Sequence, residues 1–124
     1  MKKLLVHLIF FMTSLSANEI VIDGRLDESL WDEAKVINEF FEVSPYTLLK
    51  PEEKTITKIF SNENGIYVGF INFQSNSSML SKKSNRDQTP NNTDQNGIAI
   101  DFDNDGQKAY MFQVTLANIQ ADGI

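Results

Sequence analysis

The chain of 124 residues contains no cysteine and one histidine, His7. Without cysteine there is no disulfide framework, no thiol nucleophile and no anchor point for a lipid. His7 sits in the first apolar run, so the rest of the chain has no histidine either. Ser-His-Asp triads, Cys-His dyads and ordinary zinc or copper sites are thereby excluded. Basic residues are also scarce: 11 Lys and Arg stand against 17 Asp and Glu, a formal net charge of −6. Phosphate backbones are held by clustered Lys and Arg, so this balance argues against nucleic acid and permits neutral sugars or cations. Long apolar runs are missing too. The longest, Leu4 to Met12, is interrupted by His7 and falls short of the roughly 20 residues that a membrane-spanning helix needs.

That short run has the make-up of a secretion leader. Lys2 and Lys3 form a basic start, the apolar centre follows, and Thr13 to Ala17 are mostly small before the polar Asn18-Glu19. Cleavage is expected after Ala17, which makes residues 1–17 a signal peptide and 18–124 one exported domain. Loss of Lys2 and Lys3 takes the net charge from −6 to −8. A domain of this length must rely on its core, burying roughly two-thirds of the surface of the unfolded chain.

Along the mature chain, Glu19 to Ile22 is expected as a first strand and Asp23-Gly24 as a turn. Asp27 is placed to cap a short helix on which Leu30, Trp31 and Ala34 share one side. Val36 to Val43 is expected to be extended and to end at Ser44-Pro45. Two hairpins follow. Thr55 to Phe60 and Ile66 to Phe73 flank the turn signal Asn62-Glu-Asn-Gly65. The second of these strands is apolar on both faces, which predicts a central strand covered on each side. Gly69 in its middle predicts close approach by a backbone or a ring. Met79 to Ser84 is expected as a short edge strand. In the second hairpin Ile98, Ile100 and Phe102 share a face, as do Tyr110, Phe112, Val114 and Leu116. Ala121-Asp122-Gly123 reads as a turn near the end. Short alternating strands separated by turns predict a mainly β chain, an antiparallel β-sandwich with one short helix.

The acidic residues allow two chemistries. A pair of carboxylates is the requirement of a glycosidase, but among 17 acidic residues such a pair arises by chance, and no catalytic residue is assigned. Asp101-Phe-Asp-Asn-Asp-Gly106 opens like an EF-hand calcium loop, yet Phe112 stands where that loop needs a bidentate Glu and the flanks alternate as strands. The segment is a hairpin turn first. Asp94, Asp101 and Asp103 remain candidate oxygen ligands for a structural calcium ion.

Four segments carry a resemblance. Ile22-Asp-Gly-Arg-Leu-Asp-Glu-Ser-Leu-Trp-Asp-Glu-Ala34, Gly65-Ile-Tyr-Val-Gly69, Arg86-Asp87 and Gly97-Ile-Ala-Ile-Asp-Phe-Asp103 follow one another with spacing that resembles the carbohydrate-binding module family 9-like domain. The resemblance runs from about residue 20 to the end. It implies a jelly-roll-type sandwich in which Trp31 is a core plug, and a non-catalytic function of saccharide binding. It also implies export to the periplasm or outer membrane of a Gram-negative bacterium. Domains of that family are longer and often precede a carboxy-terminal membrane barrel, so the chain reads as the amino-terminal part of a longer domain. The alternative function is a structural or interaction module with no sugar ligand. Candidate ligand-binding residues are Tyr46, Arg86, Asp87 and Gln113. Tyr46, beside the Ser44-Pro45 turn, can stack on a pyranose or anchor its loop. Arg86 can donate to sugar hydroxyls while Asp87 accepts, or the two can form an ion pair that fixes the 85–96 loop on the sheet. Gln113 can extend the polar surface or face solvent. The resembling modules that bind sugar ends use stacked Trp rings, whereas this chain has one Trp.

Overall fold

The computed structural model describes residues 19–124, and the expected leader lies outside them. Among these described residues six strands form two three-stranded antiparallel sheets, with almost no helix. The first sheet has the order β1 (Lys35–Ile37), β2 (Lys54–Asn62), β3 (Gly65–Phe73). The second has the order β4 (Gln95–Ile100), β5 (Tyr110–Thr115), β6 (Gln120–Gly123). The β2–β3 hairpin pairs Asn62 with Gly65 across the expected turn and continues to Lys54 opposite Phe73. The side chain of Asn62 helps to close that turn, its Oδ1 accepting from the amides of Asn64 and Gly65 at 2.8 and 3.2 Å.

The second hairpin has the expected faces. Ile98 lies opposite Phe112, Ile100 opposite Tyr110 and Asn96 opposite Val114, so these side chains share one surface. The 101–109 connection turns on Asn104 and Gly106, with φ of 52° and 70°, the left-handed region that short polar residues and glycine enter most readily.

The residues amino-terminal to β1 pack on the first sheet, with Leu26 and Trp31 against Gly69. A single 3-10 turn, Ser29–Asp32, drives Trp31 against β2 and β3. The indole is 4 % exposed, the most buried large side chain among the described residues, and meets Phe60 edge-on at 4.9 Å. Its Nε1 donates to Glu28 Oε2 at 3.0 Å, and Lys58 Nζ donates to its carbonyl at 3.0 Å. The polar edge of the ring is thus satisfied while its area is buried. Gly69 lies directly beneath: a Cβ there would stand 2.7 Å from both δ carbons of Leu26 and 3.2 Å from Trp31 Cη2. The close approach of a ring predicted for this glycine is therefore present.

Several local expectations are corrected. Glu19 to Ile22 is not a strand, because no neighbouring strand is there to pair with it. Asp27 does not cap the helical turn; its carboxylate takes the Arg25 guanidinium at 2.9 Å, and Glu28 occupies the cap position without a side-chain capping bond, its carboxylate accepting from Trp31 Nε1 and Val21 N instead. Of the 36–43 segment only Val36 and Ile37 lie in a strand, β1, while Val43 makes an isolated antiparallel bridge to Tyr46; Met79 to Ser84 forms no strand. That segment is held instead by Asp94, whose N donates to Leu80 O at 2.7 Å. Ala121-Asp122-Gly123 belongs to β6 rather than to a turn. The strand expected to be central, β3, stands at the edge of its sheet. Its two apolar faces are covered by Trp31 and Leu26 on one side and front an open cleft on the other.

Candidate functional site

The cleft lies between the two sheets and has a volume of about 710 Å³. One wall is the edge of β3, with Ile66, Val68 and Phe70; the other is the shared face of the second sheet, with Ile98, Ile100, Phe112 and Val114. Phe102, just beyond β4, is 59 % exposed and rests edge-on against Tyr110 at 5.5 Å; Phe112 is 45 % exposed. Two exposed aromatic rings therefore line a concave surface.

The polar rim of the cleft is built on β6. Arg86 reaches across from the 85–94 loop, its Nη1 donating to Gln120 Oε1 at 3.1 Å and its Nη2 to Asp122 Oδ1. Its Nε lies 3.6 Å from Asp87 Oδ2. The adjacent backbone is tied to the same strand: Asp87 N donates to Gln120 O at 3.1 Å, and Asp122 N donates to Asp87 Oδ1 at 3.3 Å. Asp87 itself has φ of 62°. The Arg86-Asp87 pair thus clamps its loop onto β6, as the ion-pair reading of the sequence anticipates. All of these side chains remain about half exposed, so the clamp holds a guanidinium and a carboxylate at the rim without withdrawing them from solvent.

Gln113 borders the cleft, but it lies opposite Gly97, one position out of step with Phe112 and Val114, so its side chain packs across Gly97 on the other face of the sheet, where a Cβ would meet its Cγ at 3.1 Å. Gln120 and Asp122 complete the rim; neither was a candidate in the sequence, where 121–123 reads as a turn. Their spacing of two, which puts them on one face of a strand, is the signal that identifies them.

Tyr46 stands apart. It is 76 % exposed and lines no part of the cleft. Its hairpin is closed by its own bonds, with Glu42 N donating to Leu49 O at 2.9 Å and Leu48 N to Glu42 O at 3.0 Å. Thr47 Oγ1 donates to Glu42 Oε2 at 2.6 Å.

The three candidate calcium ligands occupy different settings. Asp94 Oδ2 accepts from Gln74 Nε2 at 2.9 Å and Leu80 N at 2.8 Å, fastening the segment after β3. Asp101 caps the β4–β5 connection: Oδ1 accepts from the amides of Asp103 and Asn104 at 3.1 and 2.7 Å, and Oδ2 from Gly106 N at 2.8 Å. The Gly106 amide foremost holds the Asp101 carboxyl below the usual aspartate value; burial opposes it, and the amides of Asn104, Asp103 and Asp105 add to the lowering. Asp103 lies 4.0 Å from Lys108 Nζ. Among the described residues no three His, Cys, Asp or Glu side chains are grouped as a metal site, and Asp94 is spent on a different loop from Asp101 and Asp103.

Comparison with protein-family models, with curated proteins and with solved structures gives no match for this chain.

Proposed function

We propose that the chain is a non-catalytic binding domain of an exported protein, and that its ligand is a saccharide held at the rim of the inter-sheet cleft. The observation that carries this reading is the pairing of exposed rings with a fixed polar fork. Phe102 and Phe112 offer apolar faces for a pyranose, while Arg86, Gln120 and Asp122 surround the same opening. Arg86 is oriented before any ligand arrives by its bonds to Gln120 and Asp122. A sugar hydroxyl can accept from a free guanidinium hydrogen while another donates to the open oxygen of Asp122, so both roles of a hydroxyl are met. Preorganisation of this kind lowers the ordering cost of binding.

The test is calorimetric titration with a panel of neutral mono- and oligosaccharides, with calcium and with chelator. The reading expects heat for one saccharide class and its loss in Arg86→Ala. A folded protein that binds none of the panel would refute it.

A second reading, a structural or interaction module without a sugar ligand, is favoured by one separate observation. The walls of the cleft are mostly Ile, Val and Phe, and a long strand edge lies open along it. Apolar concave surfaces of this kind suit protein partners.

A further inference from the structure

Among the described residues, β3 bonds to β2 along one edge only, and no backbone group of 65–73 bonds to anything outside that hairpin. The strand is nine residues long and carries neither a charge nor a proline. These are the devices by which edge strands normally protect themselves from pairing. The open volume of the cleft wraps this edge: Trp31 and Tyr67 border it on one face of the strand, Val68 and Phe70 on the other. Its far wall is the apolar face of β4 and β5.

We propose that the open edge of β3 takes up an extended strand from a partner polypeptide, which lies in the cleft and becomes the fourth strand of the first sheet. A row of outward N–H and C=O groups repeats every second residue along such an edge, and another strand matches that row along its length. Alternate side chains of the incoming strand point to one face and would cover the Ile98–Phe112 pair and its neighbours. The partner segment is therefore apolar at every second position. At the others it is uncharged or basic, because the chain that receives it carries a net charge of −6, while the charged pair at the cleft rim, Arg86 and Asp122, is locally neutral. A second copy of the chain would bring another −6 to the same junction, which favours a different polypeptide. This inference goes beyond the saccharide reading. It uses the β3 wall and backbone, whereas the sugar reading uses the rim on β6, so either can fail alone.

The test uses the protein unchanged and the synthetic peptide Lys-Val-Thr-Val-Thr-Val-Thr-Val-Lys as probe. At a peptide concentration ten times the dissociation constant, amide exchange along the outer edge of β3 should slow by roughly tenfold, since only the free fraction exchanges. The same peptide with proline at alternate positions lacks the donors for the ladder and should leave exchange unchanged. Trp31, which borders the cleft, should change its fluorescence with the first peptide and not the second. Equal effects from both peptides would overturn strand addition, as would unchanged β3 exchange in a protein whose β4–β5 amides stay protected. Protection of β3 that rises with protein concentration alone, with dimers in sedimentation, would make the occupant a second copy and overturn the partner.

Discussion

Substitution of Gly69 by alanine tests the packing that holds the first sheet together. Elsewhere in a strand this change stabilises by about 0.5–1 kcal/mol, because glycine loses more backbone freedom on folding. Here the added methyl meets Leu26 Cδ1 and Cδ2 at 2.7 Å and Trp31 Cη2 at 3.2 Å, and overpacking of a filled site costs about 1–3 kcal/mol. The half-buried Leu26 can swing partly aside, while the indole is fixed by Phe60, Glu28 and Lys58. The net expectation is a loss of about 1 kcal/mol, which in a domain of this size lowers Tm by roughly 4–8 °C. Urea unfolding followed by the fluorescence of Trp31, the chain's one tryptophan, reads the loss as a lower midpoint at unchanged slope. The sign should depend on Leu26. In a Leu26→Ala background the methyl has room, so Gly69→Ala should be neutral or stabilising there, a coupling within the roughly 0.5–3 kcal/mol range of contacting pairs. A Gly69→Ala protein as stable as the parent, or one whose loss is the same with and without Leu26, would refute the reasoning.

Trp31→Ala should cost about 3–5 kcal/mol, the usual range for emptying a buried aromatic site, enough to unfold much of a marginal domain when followed by far-ultraviolet circular dichroism. Thr57→Val should raise the urea midpoint, because the buried Thr57 hydroxyl has no hydrogen-bond partner among the described residues and such a group costs about 1–3 kcal/mol. Asp101→Asn should destabilise at neutral pH by removing the acceptor of Gly106 N. The folded carboxyl lies below its ordinary value, so its contribution is present above about pH 4 and is lost as pH falls through the folded-state value. Midpoints of parent and variant should therefore converge in acid, and a gap that widened below pH 4 would contradict the assignment.

Local signals were legible and long-range ones were not. The Asn62–Gly65 and Asp103–Gly106 turns, the alternation that pairs Ile98 with Phe112, and the glycine beneath Trp31 all follow from neighbours within one hairpin or one motif. The edge position of β3 does not, because two apolar faces describe how a strand is covered and say nothing of whether its second edge is paired. Asp94 illustrates the same limit. Its carboxylate is a candidate cation ligand in the sequence, and the bonds it accepts from Gln74 and Leu80, 20 and 14 residues away, are not legible there. At the candidate site, Arg86 was legible as a polar anchor. Its partners Gln120 and Asp122 lie 34 and 36 residues on, and only the pairing of β6 with β5 brings them to the same rim.

The most direct test is a two-dimensional amide NMR titration of the protein with the saccharide panel. The account predicts shifts for one saccharide class concentrated at Arg86, Phe102, Phe112, Gln120 and Asp122, with Tyr46 unmoved, and their disappearance in Arg86→Ala. A well-dispersed spectrum that no saccharide perturbs, or shifts confined to the Tyr46 hairpin, would contradict it.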